Sequence, residues 1–383
     1  MPPRDFNPSD IYWLEKRTFL ETLGYRLRPK YQPDYVPDFA TRYDDYWAAH
    51  FGYPIMDAHR VFDDKPVILK LISTRVHPHE VEIARFFSSQ PIADDPRNHC
   101  VPILDVLQDP NDTDKQIIVM PRLVKFDQPE FQTVGEVIDC FRQLFEGLEL
   151  MHENFVAHRD CWRYNIAQDP TLLFPKGFHP VWTDRDPSNK HPAYHLTRTE
   201  CWPRYFFIDF GLSRRYDPSN GPPREPIIRG GDRSPPEHHT NLACNPFPTD
   251  IYFLGNLLKT QFLYSRRLGK RQHVLLSSLG FLKPLVDAMV QPGPALRPTI
   301  GEVIQRFDKL CSSLSEFHLG LPGRAHRFHF GLFFRQITRT LKRVPPLPAS
   351  SQRHDRQIPA GSMREFFTQD RESISDGRSL LLH

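Results

Sequence analysis

Between Thr133 and Asn154 the apolar residues Val134, Val137, Ile138, Phe141, Leu144, Phe145, Leu148 and Met151 recur at intervals of three and four. An α-helix turns once every 3.6 residues, so this spacing gathers them on one stripe and predicts a long amphipathic helix. Thr133 is placed to cap it, with Glu136 three residues on to complete a reciprocal pair of hydrogen bonds. Such a helix must bury its stripe, and the chain differs on its two sides. Upstream are short strand-like runs at 55–61, 66–72, 101–107 and 117–120, with a tight turn at Asp63-Asp64-Lys65 and a short helix expected from Pro78. Downstream are further helical patterns at 250–263, 272–289 and 300–314. A strand-rich first part followed by a helix-rich second part predicts an α+β chain in two lobes.

Composition narrows the class. A chain of 383 residues can build two or three lobes around a sizeable core. No run approaches the roughly 20 apolar residues of a membrane-spanning helix; the best stretch, 252–258, is broken by Gly255 and Asn256. The start, Met1-Pro2-Pro3-Arg4-Asp5, lacks the apolar segment of a secretory signal, so a cytoplasmic or nuclear location is expected. Forty-nine basic against 46 acidic residues leave a net charge of +3, which gives no reason to expect nucleic acid as a partner. The cysteines, Cys100, Cys140, Cys161, Cys201, Cys244 and Cys311, form no C-x-x-C pair and read as free thiols. The histidine pairs His77/His79, His238/His239 and His326/His329 lack a matching second pair and read as surface histidines rather than metal ligands.

Prolines, 38 in all, mark the joints. Residues 1–50 mix Pro, Tyr, Trp and Asp without a clear period and read as an extended N-terminal extension pinned by aromatics. The expected division is then 51–124 for the first lobe, 125–315 for the second, 316–343 for a basic amphipathic segment and 344–383 for a disordered tail. From Arg324 to Arg343 there is no acidic residue, and Phe330, Phe333, Phe334, Ile337 and Leu341 make one helical stripe. That stripe suits docking on the protein's own helices, an anionic membrane or a partner's groove.

The polar string His158-Arg159-Asp160-Cys161-Trp162-Arg163-Tyr164-Asn165 follows the long helix, and Asp209-Phe210-Gly211 follows the apolar run 205–208. In that order, over residues 55–310, the chain resembles the eukaryotic protein kinases. Ser234-Pro235-Pro236-Glu237 resembles the motif that ends the kinase activation segment. Asp250-Ile251-Tyr252-Phe253-Leu254-Gly255 resembles the kinase helix with a buried aspartate, and Arg297 stands where an arginine pairs with that glutamate, here Glu237. These marks favour a protein kinase over a small-molecule phosphotransferase.

The resemblance implies a two-lobed domain binding ATP with Mg²⁺. It implies Asp160 as the base for the acceptor hydroxyl, Asn165 and Asp209 as hard oxygen ligands for metal, and Lys70 as the phosphate-gripping lysine. Met120, Pro121 and Leu123 are the further nucleotide-binding candidates. Two carboxylates could pair with Lys70. Glu80 shares a helix face with Ile83, Ala84 and Phe87, whereas Glu82 lies with Arg85 and Phe86, so Glu80 is preferred.

The pattern also departs from the family. Upstream of Lys70 only Gly52 stands where a glycine-rich phosphate loop is expected. Trp162 replaces the lysine two residues after the catalytic aspartate, with Arg163 a substitute one step on, and Gly230 replaces a threonine of the activation segment. Residues 166–207 form an insert where a short hairpin is usual, and its aromatic content predicts order. The insert and loose motifs resemble divergent kinase families expanded in fungi. The leading expectation is transfer from Mg-ATP to a protein hydroxyl of serine or threonine; the alternative is a pseudokinase that works through contacts.

Overall fold

Alternating burial along the early strands builds the first layer. The computed structural model describes residues 8–48, 54–240, 242–263, 278–321, 345, 347 and 348. It begins with α1 (Pro8–Thr22), β1 (Tyr25–Leu27), β2 (Ile55–Arg60), β3 (Lys65–Ser73), α2 (Glu80–Ser88), β4 (Asp105–Gln108) and β5 (Lys115–Pro121). The strands form one antiparallel sheet in the order β1-β2-β3-β5-β4. Met56, Ala58, Val67, Leu69, Leu71, Ile117 and Val119 share one buried cluster with Trp13 and Leu20 of α1. Each large side chain buried there contributes roughly 1.5–3 kcal/mol. Because side chains alternate, Ile55, Asp57, Ile68 and Lys70 take the opposite face: Ile55 stands opposite Lys70 and Asp57 opposite Ile68.

The extended extension expected over residues 1–50 is not what forms. Residues 8–22 are a helix, and β1 joins the sheet, so the first lobe boundary drawn at 51 falls inside the β1–β2 connection. The helical pattern is masked because two of the buried positions on α1, Asp10 and Lys16, are charged. Both are satisfied: Tyr31 Oη donates to Asp10 at 2.5 Å, and Lys16 Nζ meets Asp109 at 2.5 Å.

The rest of the chain is β6 (Val124–Lys125), α3 (Val134–Glu153), β7 (Val156–Ala157), β8 (Ile166–Gln168), α4 (Arg198–Cys201), β9 (Tyr205–Phe207), β10 (Arg214–Arg215), α5 (Phe247–Leu258), α6 (Lys283–Met289), α7 (Ile300–Ser312) and α8 (Glu316–Gly320). Helix α3 carries the expected capping box between Thr133 and Glu136. At Gly147 an added Cβ would lie 2.6 Å from the His99 side chain, so this turn of α3 accepts only glycine. Phe145 of α3 meets Phe307 of α7 edge-on, and Phe141 does the same with Phe262. The fold is therefore α+β.

Several boundaries move for identifiable reasons. The short helix starts at Glu80 rather than Pro78. The run 101–107 becomes strand only from Asp105, because Val101 N–H donates to Phe207 O at 2.9 Å and ties the earlier residues to β9. Helix α5 ends at Leu258 and passes into a π-turn, Lys259–Leu263. Within the pattern at 272–289, residues 272–277 lie outside the described residues, and α6 starts at Lys283 with a proline in its first turn. The insert is ordered: β8 and β9 pair antiparallel at its ends, and Leu173, Phe174 and Ala193 bury against Val124. The basic segment 324–343 lies outside the described residues, as does the tail apart from 345, 347 and 348. No helix among the described residues is long and apolar enough to cross a membrane.

Candidate active site

The β2–β3 hairpin puts Lys70 on the sheet face opposite the α1 cluster, where α2 and the turn at 209–211 approach it. Lys70 Nζ donates to Glu80 Oε1 and lies 2.9 Å from Asp209 Oδ1. Glu80 is buried at the start of α2 while Glu82 is exposed, as the helical face predicts. Burial pulls the Lys70 ammonium down, but the charges of Glu80 and Asp209 outweigh it and its pKa is raised. Burial likewise works against the charged form of Asp209, yet Lys70 holds its pKa below the ordinary aspartate value. The Asp209 side chain is still 48% exposed, so this partner faces outward.

Asp209 adopts φ +65°, a left-handed conformation that an L-residue occupies at a cost of about 1–2 kcal/mol. Its own Oδ1 accepts from Gly211 N–H at 3.1 Å, and His77 Nδ1 lies 2.8 Å from Gly211 O. Phe210, next in sequence, stacks on Phe87 of α2 with ring centroids 6.2 Å apart. These contacts join the turn to α2 and hold Asp209 against Lys70.

The loop after α3 is pinned from below by Asp250 of α5. This fully buried carboxylate accepts from His158 N–H at 2.9 Å and Arg159 N–H at 2.7 Å, and it meets His152 Nε2 at 3.1 Å. Asp160 is thereby presented at the loop's tip. Its carboxylate accepts from Asn165 Nδ2 at 2.8 Å and from Gly231 N–H at 2.8 Å. Burial raises the Asp160 pKa and the charge of Asp209 adds to it, while Gly231, His158 and Asn165 oppose the rise. Arg163, the expected substitute one step on, has its Nη2 2.9 Å from Asp127 Oδ2.

Further along, Arg297 grips Glu237 with two hydrogen bonds of 2.7 and 2.6 Å, and Thr249 Oγ1 donates to the same carboxylate at 2.8 Å. A two-pronged, nearly buried pair of this kind fixes the segment before α5 to the segment before α7.

Met120 stands opposite Ile68 on the Lys70 face, with Pro121 and Leu123 half-buried after it. Next to them is a cluster that sequence reasoning missed. Asp57 pairs with Arg28 at 3.0 Å, and Arg28 pairs with Asp45 at 2.8 Å. Arg122 is buried nearby and donates to His179 O of the insert at 2.8 Å. The signal available was Asp57 itself, a charge on the strand face shared with Lys70. Its partners, Arg28 and Asp45, come from the connection between β1 and β2.

Among the described residues no group of three His, Cys, Asp or Glu side chains could cage a metal ion. Asp209 and Asn165, the expected metal ligands, each carry a side-chain oxygen of the hard type that Mg²⁺ prefers. No protein-family model and no curated protein sequence matches this chain.

Proposed function

We propose that the chain is a two-lobed, protein-kinase-like domain that transfers the γ-phosphoryl group of Mg-ATP to a protein hydroxyl. The observation that carries this reading is the pairing of Lys70 with both Glu80 and Asp209, with Asp160 and Asn165 bonded together on the loop after α3. Phosphoryl transfer asks a protein mainly to position groups and to neutralise charge. Lys70 would hold the α- and β-phosphates. Asp209 and Asn165 would hold Mg²⁺, which when bound neutralises charge on the phosphates. Asp160 would orient the acceptor hydroxyl and take its proton. The acceptor oxygen bonds to the γ-phosphorus as the bond to the bridging oxygen breaks, and ADP leaves with that electron pair.

The activation segment supports a site that is ordered without modification. Glu225 Oε2 lies 3.9 Å from Arg159 Nη1 and 3.8 Å from Arg214 Nε, so one carboxylate already stands between two guanidinium groups where a phosphate could otherwise bind. A second reading, a catalytically silent kinase-like module, is favoured by the buried Arg28–Asp57 pair beside Lys70 and by the absent glycine-rich loop.

Incubation with γ-labelled ATP and Mg²⁺ separates the two. Catalysis predicts label on the wild-type protein and a loss of about 100-fold or more in Asp160→Asn. Equal labelling of the two proteins would place the chemistry elsewhere, and no labelling under any condition would leave the silent module.

A further inference from the structure

Gly230 and Gly231 are adjacent, and neither has a positive φ, so backbone conformation does not require glycine at either position. Space does. A Cβ on Gly230 would lie 2.2 Å from Asp160 Oδ1, and a Cβ on Gly231 would lie 1.9 Å from Cε2 of Trp162. The two glycines let the activation segment come down onto the carboxylate of Asp160 on one side and the indole of Trp162 on the other. At the end of that approach Gly231 N–H donates to Asp160 Oδ1 at 2.8 Å.

The sequence treats Trp162 and Gly230 as two separate departures from the kinase pattern, each the loss of a polar side chain near the acceptor. The geometry relates them. We infer that Trp162, Gly230 and Gly231 form one matched unit in which the indole seats the glycine backbone so that a main-chain N–H holds Oδ1 of the Asp160 carboxylate. Trp162 is on this account a positioning residue, acting on Asp160 through Gly231. The second carboxylate oxygen is held by Asn165 Nδ2 at 2.8 Å. Each oxygen has two acceptor sites, and these two bonds use one on each. Trp162 also packs edge-on against Tyr164 at 4.6 Å between centroids, a contact that limits motion of the indole.

The catalytic meaning of this unit rests on the proposed kinase function, but its existence does not, and the test keeps the two apart. Amide hydrogen exchange is followed at Gly231 in protein labelled with ¹⁵N-glycine, alongside labelling by γ-labelled ATP. A protected Gly231 amide is expected in the wild type, with protection falling about tenfold or more in Trp162→Ala and in Asp160→Ala, and largely recovered in Trp162→Phe. The Gly147 amide, in the middle of α3, should stay protected throughout. In the transfer assay Trp162→Ala should lower kcat about tenfold or more while KM for ATP stays within about twofold. A freely exchanging Gly231 amide in the wild type, or unchanged protection in Trp162→Ala, overturns the inference. If Trp162→Ala fails to fold, Asp160→Ala decides, and retained protection there overturns it equally. Absence of transfer by the wild type would defeat the kinase reading, while the exchange data would still decide the seat.

Discussion

Two charged clusters share the Lys70 face of the sheet, and they are built in opposite ways. Around Lys70 the partners come from α2 and the turn at 209–211, and the Asp209 side chain is 48% exposed. Around Asp57 the partners come from the β1–β2 connection, and the Arg28 and Asp57 side chains are each 3% exposed. The first cluster keeps one ion-pair partner, Asp209, at a solvent-facing edge, where on the proposed reading a cation competes with Lys70 for it. The second is closed. Its cations and carboxylates neutralise one another in the interior, which fits a strut holding the connection to the sheet. Burial of partners separates a cluster that can exchange ligands from one that can only come apart.

Removing one partner should therefore have different consequences in the two places. Asp57→Ala leaves Arg28 buried with Asp45 as its remaining carboxylate partner among the described residues. The expected loss is about 3–5 kcal/mol, read from the urea midpoint. Asp209→Asn removes a half-exposed carboxylate and should cost under about 1 kcal/mol in the same assay, while removing most transfer. A large loss of stability in Asp209→Asn with little change in Asp57→Ala would invert the comparison.

The Glu237–Arg297 pair provides a pH test of a closed pair away from the sheet. Burial opposes ionisation of Glu237, but its hydrogen bonds to Arg297 outweigh burial and hold its pKa below the ordinary glutamate value. A carboxyl depressed on folding contributes stability above its unfolded pKa and loses it as pH falls through the folded one. Wild type should therefore lose more stability than Glu237→Gln when the urea midpoint is followed from neutral pH down through and below the ordinary glutamate range. Parallel curves would remove the pair from the account.

The smallest effect is expected at Glu225. Its contacts to Arg159 and Arg214 are long, so Glu225→Gln should change stability by about 0–1 kcal/mol. The sharper test concerns the proposed regulation. Wild-type transfer should survive phosphatase treatment, checked by mass spectrometry of the active protein. Stoichiometric phosphate whose removal abolishes activity would show that Glu225 does not serve as the built-in anion.

The same contrast explains what could be read in advance. Helix α3 was legible because its stripe is local and its cap is a three-residue signal, Thr133 with Glu136. The loop behind it was legible because its polar residues are contiguous, and Glu80 could be chosen over Glu82 by helical angle alone. Helix α1 was hidden because its buried face carries Asp10 and Lys16, whose partners Tyr31 and Asp109 lie 21 and 93 residues away. Asp57 was hidden for the same reason, since Arg28 and Asp45 come from a connection with no periodic pattern. The seat of Gly231 on Trp162 was beyond sequence reasoning, because it depends on two segments 69 residues apart approaching to van der Waals contact. Local periodicity reports elements; polar pairs made at a distance need coordinates.

On the proposed reading the cluster at Lys70 and Asp209 is the one that accepts a ligand. Thermal melting of wild type and Asp209→Asn, with and without Mg-ATP, decides whether it does. A ligand at 100 times its dissociation constant stabilises by about 2.7 kcal/mol, so saturating Mg-ATP should raise the wild-type melting temperature, and Asp209→Asn should lose most of that rise. An unchanged wild-type melting temperature at millimolar Mg-ATP, or an equal rise in both proteins, would contradict it.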